Sequence, residues 1–174
     1  MRLPSVLSER NLPAPELYAA RLDGDLFAID GCFSPVDEIE QPRHRAAAAH
    51  AGLAPRLIAE QLSAAWVWGA LDSPPTHHQF CVATGARVSH SPALWMTVRE
   101  VVITTHEIDV LNGNAVTSRL RTAIDLARFA TTEPEVLLRL SVDLTTAIDL
   151  IDARRNLPNK RQAIALLERA ISRS

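Results

Sequence analysis

Lysine is all but missing from this sequence: Lys160 is the only one in 174 residues. A metal-dependent nuclease would want a strand presenting an acid and then an E-x-K triplet. Glu100 lies on a strand candidate but is followed by Val101 and Val102, so that chemistry lacks its lysine. The two cysteines, Cys32 and Cys81, are far apart and have no C-x-x-C partner, which argues against a disulfide framework or a zinc knuckle and for reduced thiols. Only 6 glycines are present, and neither G-x-G-x-x-G nor G-x-x-x-x-G-K-[ST] occurs, so nucleotide phosphate has no cradle of the usual kinds. G-x-S-x-G is missing too, and no cysteine has a positioned base. No apolar run reaches about 18 residues and no basic segment leads into an apolar stretch at the N-terminus; the expectation is a cytoplasmic protein without membrane contact. Aromatic residues make up just 5%, so the core must be built mainly from Ala, Leu, Ile and Val.

What is present is a globular composition, 47% hydrophobic and 22% charged, in a chain long enough for one domain with a small appendage. Net charge is −2 but unevenly spread. Residues 1–114 carry 8 Lys/Arg against 13 Asp/Glu, and residues 115–174 carry 10 against 7. Between Asp23 and Glu40 there are six acids and no Lys or Arg, a field that repels phosphate.

Pro15 suits a helix first turn, and E-L-Y-A-A-R-L carries that helix to Asp23-Gly24. Leu26–Ile29 and Cys32-Phe33 read as a two-stranded ribbon turned by Asp30-Gly31. Helix plus ribbon is the tail of a winged-helix module, and the dozen residues before Pro15 cannot supply its two upstream helices, so residues 1–40 read as a winged-helix remnant. Pro42 opens an alanine-rich helix. Arg56–Ala59 is a short strand candidate, and a helix through Leu71 follows with Leu62, Ala65, Trp66 and Gly69 on one side. Strands are expected at Gln79–Thr84 and Thr97–Thr105, the second covered on both faces because its V-V-I centre is continuously apolar. Gly85 to Pro92 reads as a loop, His106 to Val110 as a single turn, and Asn112-Gly113-Asn114 as a tight turn. From Pro134 the spacing Leu137, Leu140 or Ser141, Leu144, Ile148, Ile151 predicts one long helix ending near Arg155. Asn159 is a candidate cap for a final helix striped by Ile164, Leu167 and Ile171. The fold class is therefore α/β (α+β): a small mixed sheet packed by helices, ending in a helical pair.

The chain is organised around Ala115–Ala130, a strand end that turns a polar corner into a helix. Thr117, Ser118, Arg119, Arg121, Thr122 and Asp125 are its polar groups. Ser118 can cap the first turn, and Arg121 and Asp125, four apart, lie side by side. The ordinary reading of that pair is a surface or half-buried ion pair that orders the corner; the sharper one makes Arg119 and Arg121 contacts for a partner's acidic groups. Arg154, Arg155, Lys160 and Arg161 form a second cluster with no acid between them, either solvated cations at a helix end or a docking patch for an acidic partner or phosphate backbone. Six histidines, among them His77, His78, His90 and His106, show no metal-ligand spacing and read as solvated loop residues. No metal, cofactor or enzymatic activity is expected.

Four stretches carry a family resemblance: P-E-L-Y-A-A-R-L-D-G-D-L-F-A-I-D-G, S-A-A-W-V-W-G-A-L, V-T-S-R-L-R-T-A-I-D-L-A and the trailing helix pair. In these, roughly from Leu12 onward, the chain resembles the actinobacterial branch of the AbiEi antitoxin family of type IV toxin–antitoxin systems. The corner is the most specific of the four. Members typically begin with a winged-helix domain that represses their own promoter, followed by an α/β domain associated with antitoxin function. The resemblance implies an α/β domain over residues 41–174 and a cognate nucleotidyltransferase-like toxin as partner. It also implies a transcriptional regulator, yet Asp23 and Asp25 stand where the family's wing is usually arginine-rich, so DNA binding is expected to be weak or lost.

Overall fold

The computed structural model describes residues 4–85, 94–129 and 132–173. Helix α1 (Ala14–Leu22) leads into a hairpin of β1 (Leu26–Ile29) and β2 (Cys32–Pro35), and Leu7 adds a bridge to Phe33. Leu7, Leu17, Leu26 and Phe33 form a small apolar cluster of their own, while Ile29 and Cys32 face a larger one. Helix α2 (Pro42–Ala49) follows, and a five-stranded sheet makes the centre of the chain.

Its strands are β3 (Ile58–Ala59), β4 (His78–Ala83), β5 (Met96–Val101), β6 (Ile108–Leu111) and β7 (Asn114–Thr117), in the order β5-β4-β3-β7-β6. The sheet is mixed. β4 runs parallel to β5 and β3 parallel to β7, while the β3–β4 and β6–β7 pairs are antiparallel. The central strand β3 is only two residues long, pairing Ile58 with Cys81 and Ala115, and Ala59 with Phe80 and Val116. Alternation of the pleat sends Phe80 and Val82 into a core with α2 and Trp66, and Cys81 to the opposite face. Helix α3 (Gln61–Val67) is shorter than its periodicity predicts, because the chain turns at Gly69 with φ +81°.

The C-terminal half is helical: α4 (Arg119–Phe129), α5 (Pro134–Arg139), α6 (Leu144–Asp152) and α7 (Lys160–Ile171) enclose a second core of Leu126, Leu137, Leu140, Ile151 and Leu167. The chain is thus a mixed α/β fold, as its pattern predicts.

Several expectations need correction. The strand covered on both faces is β4; β5 is a half-exposed edge strand that stops at Val101, leaving Val102 82% exposed. The predicted turn at 106–110 is a 3-10 turn only at Thr105–Glu107, and Ile108–Leu111 forms a hairpin with β7. Asn112 and Gly113, with φ +48° and +84°, fit the left-handed positions of a type I′ turn. The long helix from Pro134 is two helices: Ser141 has φ +54°, and Asp143 caps α6 by accepting from the Thr145 N–H at 2.9 Å. Asn159 does not cap α7 with its side chain, which donates instead to the carbonyl of Arg128 at 2.8 Å. His78 is no loop residue but the buried first residue of β4. His90 and most of the 85–92 loop lie outside the described residues.

Phe80 is fully buried at the middle of β4 and meets His50 edge-on, so Phe80→Ala should cost about 3–5 kcal/mol, read as a fall in the urea midpoint.

Candidate functional site

The corner that opens α4 is held by the groups its sequence advertises. Ser118 accepts from the Arg121 N–H at 3.3 Å, and its own N–H donates to the Glu107 carbonyl at 2.8 Å. The Thr122 hydroxyl lies 2.8 Å from that of Thr117 and donates to the Ser118 carbonyl at 2.9 Å. Trp68 Nε1 donates to the Thr117 carbonyl at 2.9 Å, which pins β7 to the end of α3.

Behind the corner lies a buried polar centre. Asp125 is 0% exposed and Arg121 only 5%, so their pair, expected near the surface, is an interior one. Arg121 Nε donates to Asp125 Oδ2 at 2.8 Å and its Nη1 to Glu107 Oε1 at 2.8 Å. Arg99 reaches in from β5, donating to both oxygens of Glu60 at 2.5 and 2.7 Å and standing 3.6 Å from Asp125. Arg128 stands 3.6 Å from Asp125 Oδ1, which accepts no hydrogen bond among the described residues. Phe129 is sandwiched in this set, with Arg99 4.6 Å and Arg128 4.3 Å from its ring centre.

Burial pushes the Glu60 carboxyl above its usual range, more strongly than Arg99 pulls it down. Burial also raises Glu107, but there the N–H of Thr104 and the Arg121 guanidinium outweigh it and hold the carboxyl below its usual range. Burial pushes the neighbouring Cys81 thiol far up, aided by the Glu60 charge, so it offers no thiolate near neutral pH. Glu60, Glu107 and Asp125 thus face Arg99, Arg121 and Arg128 in a set that joins four segments of chain. Among the described residues no cluster of His, Cys, Asp and Glu could hold a metal.

Three of the five remaining sequence candidates are also engaged. Arg119 stacks on Trp68 at 4.7 Å and donates to the Leu140 carbonyl at 3.1 Å. In the basic cluster, Lys160 pairs with Asp152 at 2.8 Å and Arg154 approaches Glu107 at 3.4 Å, while Arg155 and Arg161 are exposed. Sequence reasoning set Glu100 aside for want of a lysine, and Glu100 points to solvent, while Arg99, one residue earlier, turns inward opposite Cys81. Glu60, Arg99 and Glu107 were missed. The one available signal was an acid directly after the apolar run Leu57-Ile58-Ala59.

The surface offers a different feature. Among the described residues no strand pairs with the outer edge of β5, and large apolar side chains bracket it: Leu94, 98% exposed, and Trp95 at one end, Val102 at the other. Six residues of strand span about 20 Å. An unpaired edge with apolar anchors at both ends suits an added strand or a flat partner surface.

Asp125→Asn should lower stability by about 3–5 kcal/mol in urea unfolding, since it leaves Arg128 buried without its counter-charge and takes from Arg121 one of its two. For Glu107 the sign follows from its lowered folded value: its contribution is present above the ordinary carboxylate pKa of about 4.3 and is lost as pH falls through the folded value. Glu107→Gln should therefore be less stable than the parent at pH 7, with the difference closing in acid, in parallel urea titrations.

No protein-family model matches the chain and no curated protein matches it. Among solved structures, one match is the Rv2827c protein of Mycobacterium tuberculosis, 16% identical, with a TM-score of 0.39, covering 94% of this chain and 76% of that one. So distant a likeness adds nothing to the reading of the site.

Proposed function

We propose that this chain is a non-enzymatic, antitoxin-like module that binds a partner protein along the free edge of β5. The observation that carries the reading is the contrast between the two regions. The charged side chains of the corner are spent on one another in the interior, whereas Leu94 and Val102 are held out to solvent beside a strand whose outer edge has no partner among the described residues. Exposing such side chains at a strand edge invites association, and a chain that keeps them there has a use for them. The partner that the resemblance to the AbiEi antitoxin family implies is a cognate nucleotidyltransferase-like toxin. The competing reading, a dimeric DNA-binding repressor, draws less support: two of the four cations at 154–161 are already matched by carboxylates, and the hairpin side of the chain is acidic.

Co-expression with the protein encoded beside it should yield a complex that survives size-exclusion chromatography. Val102→Glu and Leu94→Glu should disrupt it while shifting the unfolding temperature little, since exposed substitutions change stability by only about 0.5 kcal/mol. No complex, together with specific promoter binding by the chain alone, would overturn the reading in favour of the repressor.

A further inference from the structure

Away from both regions, the turn of the β1–β2 hairpin leans over the end of α2 and the start of β4, and the space between them is a cleft of about 420 Å³. That is within the range of small-molecule sites, roughly 300–1,000 Å³. Its walls are small and apolar where Ala48, Ala49 and the prolines of the 74–76 loop line it. At one end they become polar, where Asp30 and His78 meet beside Trp95.

The hydrogen bonds around His78 fix its position. Ser63 is fully buried, and its Oγ accepts from the Gln79 N–H at 2.8 Å. The same oxygen lies 3.0 Å from His78 Nδ1. That one oxygen ties the imidazole ring and the backbone of the next residue to the same point on α3. His78 is 5% exposed, and among the described residues its Nε2 makes no hydrogen bond, although Asp30 Oδ2 is 3.2 Å away. Nε2 is thus enclosed, with the Asp30 carboxylate beside it. Ser63, His78 and Asp30 stand in the order of a nucleophile, base and acid, but Ser63 is sealed behind the imidazole and is not among the cleft's lining residues.

Asp30 supplies the charge. It sits in the left-handed region, φ +54°, at the hairpin turn, and no arginine or lysine pairs with it among the described residues. It also belongs to the stretch from Asp23 to Glu40 that holds six acids and no Lys or Arg. Trp95, 43% exposed, stands at 88° to the His78 ring with 5.9 Å between centroids, adding an aromatic wall beside the carboxylate. A carboxylate without a cation, an aromatic wall and an apolar floor are together what an organic ammonium ion seeks.

We infer that this cleft binds a small organic amine, its ammonium on Asp30 and its apolar body against Ala48, Ala49 and Trp95. The charge rejects carboxylate and phosphate ligands of the same size. The site is separate from the β5 edge except that Trp95 borders both.

The full chain is titrated by calorimetry and ligand-observed NMR with tryptamine and phenethylamine as probes and phenylacetate as the anionic counterpart. Saturable one-to-one binding of at least one amine is expected, with none of the acid. Asp30→Asn should weaken it by about tenfold or more, the loss of one charge-assisted hydrogen bond. Thr76→Trp, an exposed substitution on the lining loop that leaves Asp30 and His78 in place, should block it, so the outcome does not depend on Asp30→Asn folding well. Val102→Glu should leave it unchanged, which separates this site from the partner edge. Absence of saturable binding up to ~10 mM amine, weaker than any useful affinity, would overturn the inference. So would equal binding of amine and acid, or an undiminished affinity in a folded Asp30→Asn or Thr76→Trp variant.

Discussion

A carboxylate with no exposure at all cannot stay ionised without close positive charge, and much of this fold is arranged around meeting that demand at Asp125. Arg121 answers from one turn earlier on α4, Arg128 from one turn later, and Arg99 from the edge strand on the other side. Each guanidinium brings a further obligation: Arg99 is also bound to Glu60 at the β3–α3 junction and Arg121 to Glu107 before β6. The result joins elements far apart in sequence through a single electrostatic set. Desolvating so many charges is costly, and a well-packed apolar cluster would hold the same volume at least as firmly. What the charges add is direction, because guanidinium forks accept few geometries and so fix the angle at which α4 crosses the sheet.

The sequence made parts of this legible. Arg121 and Asp125 announce themselves by a spacing of four, and Ser118 by its place between strand and helix, since both signals are local. Burial of the pair was not legible, because it depends on what lies over it. Glu60 and Arg99 are 39 residues apart, and no local pattern connects them. Arg99 and Glu100 differ by one step along the strand, and that step alone sends one into the polar centre and the other to solvent. The V-V-I run misled for another reason: continuous apolarity looks the same in a covered strand and at an edge awaiting a cover, and only sheet order tells them apart.

The helical half failed in a more instructive way. Leu137, Leu140, Leu144, Ile148 and Ile151 keep helical spacing through a segment that is not helical, because Ser141 and Asp143 break the chain without disturbing which side of it faces the core. Periodicity reports the direction of burial, and a capped break between two short helices preserves it.

The brevity of β3 has a consequence for how the molecule assembles. With two residues at the centre of the sheet, the backbone ladder there can hold together very little, and the β4–β5 pair on one side and the β6–β7 hairpin on the other are larger units than the strand that joins them. The hairpin is local and closes on the microsecond scale of such elements. Joining the halves requires chain from residues 58, 81 and 115 to meet at once, which is a contact of high order and a slow one. The meeting of these three segments, which also brings α4 against the sheet, is the step that this topology makes slow.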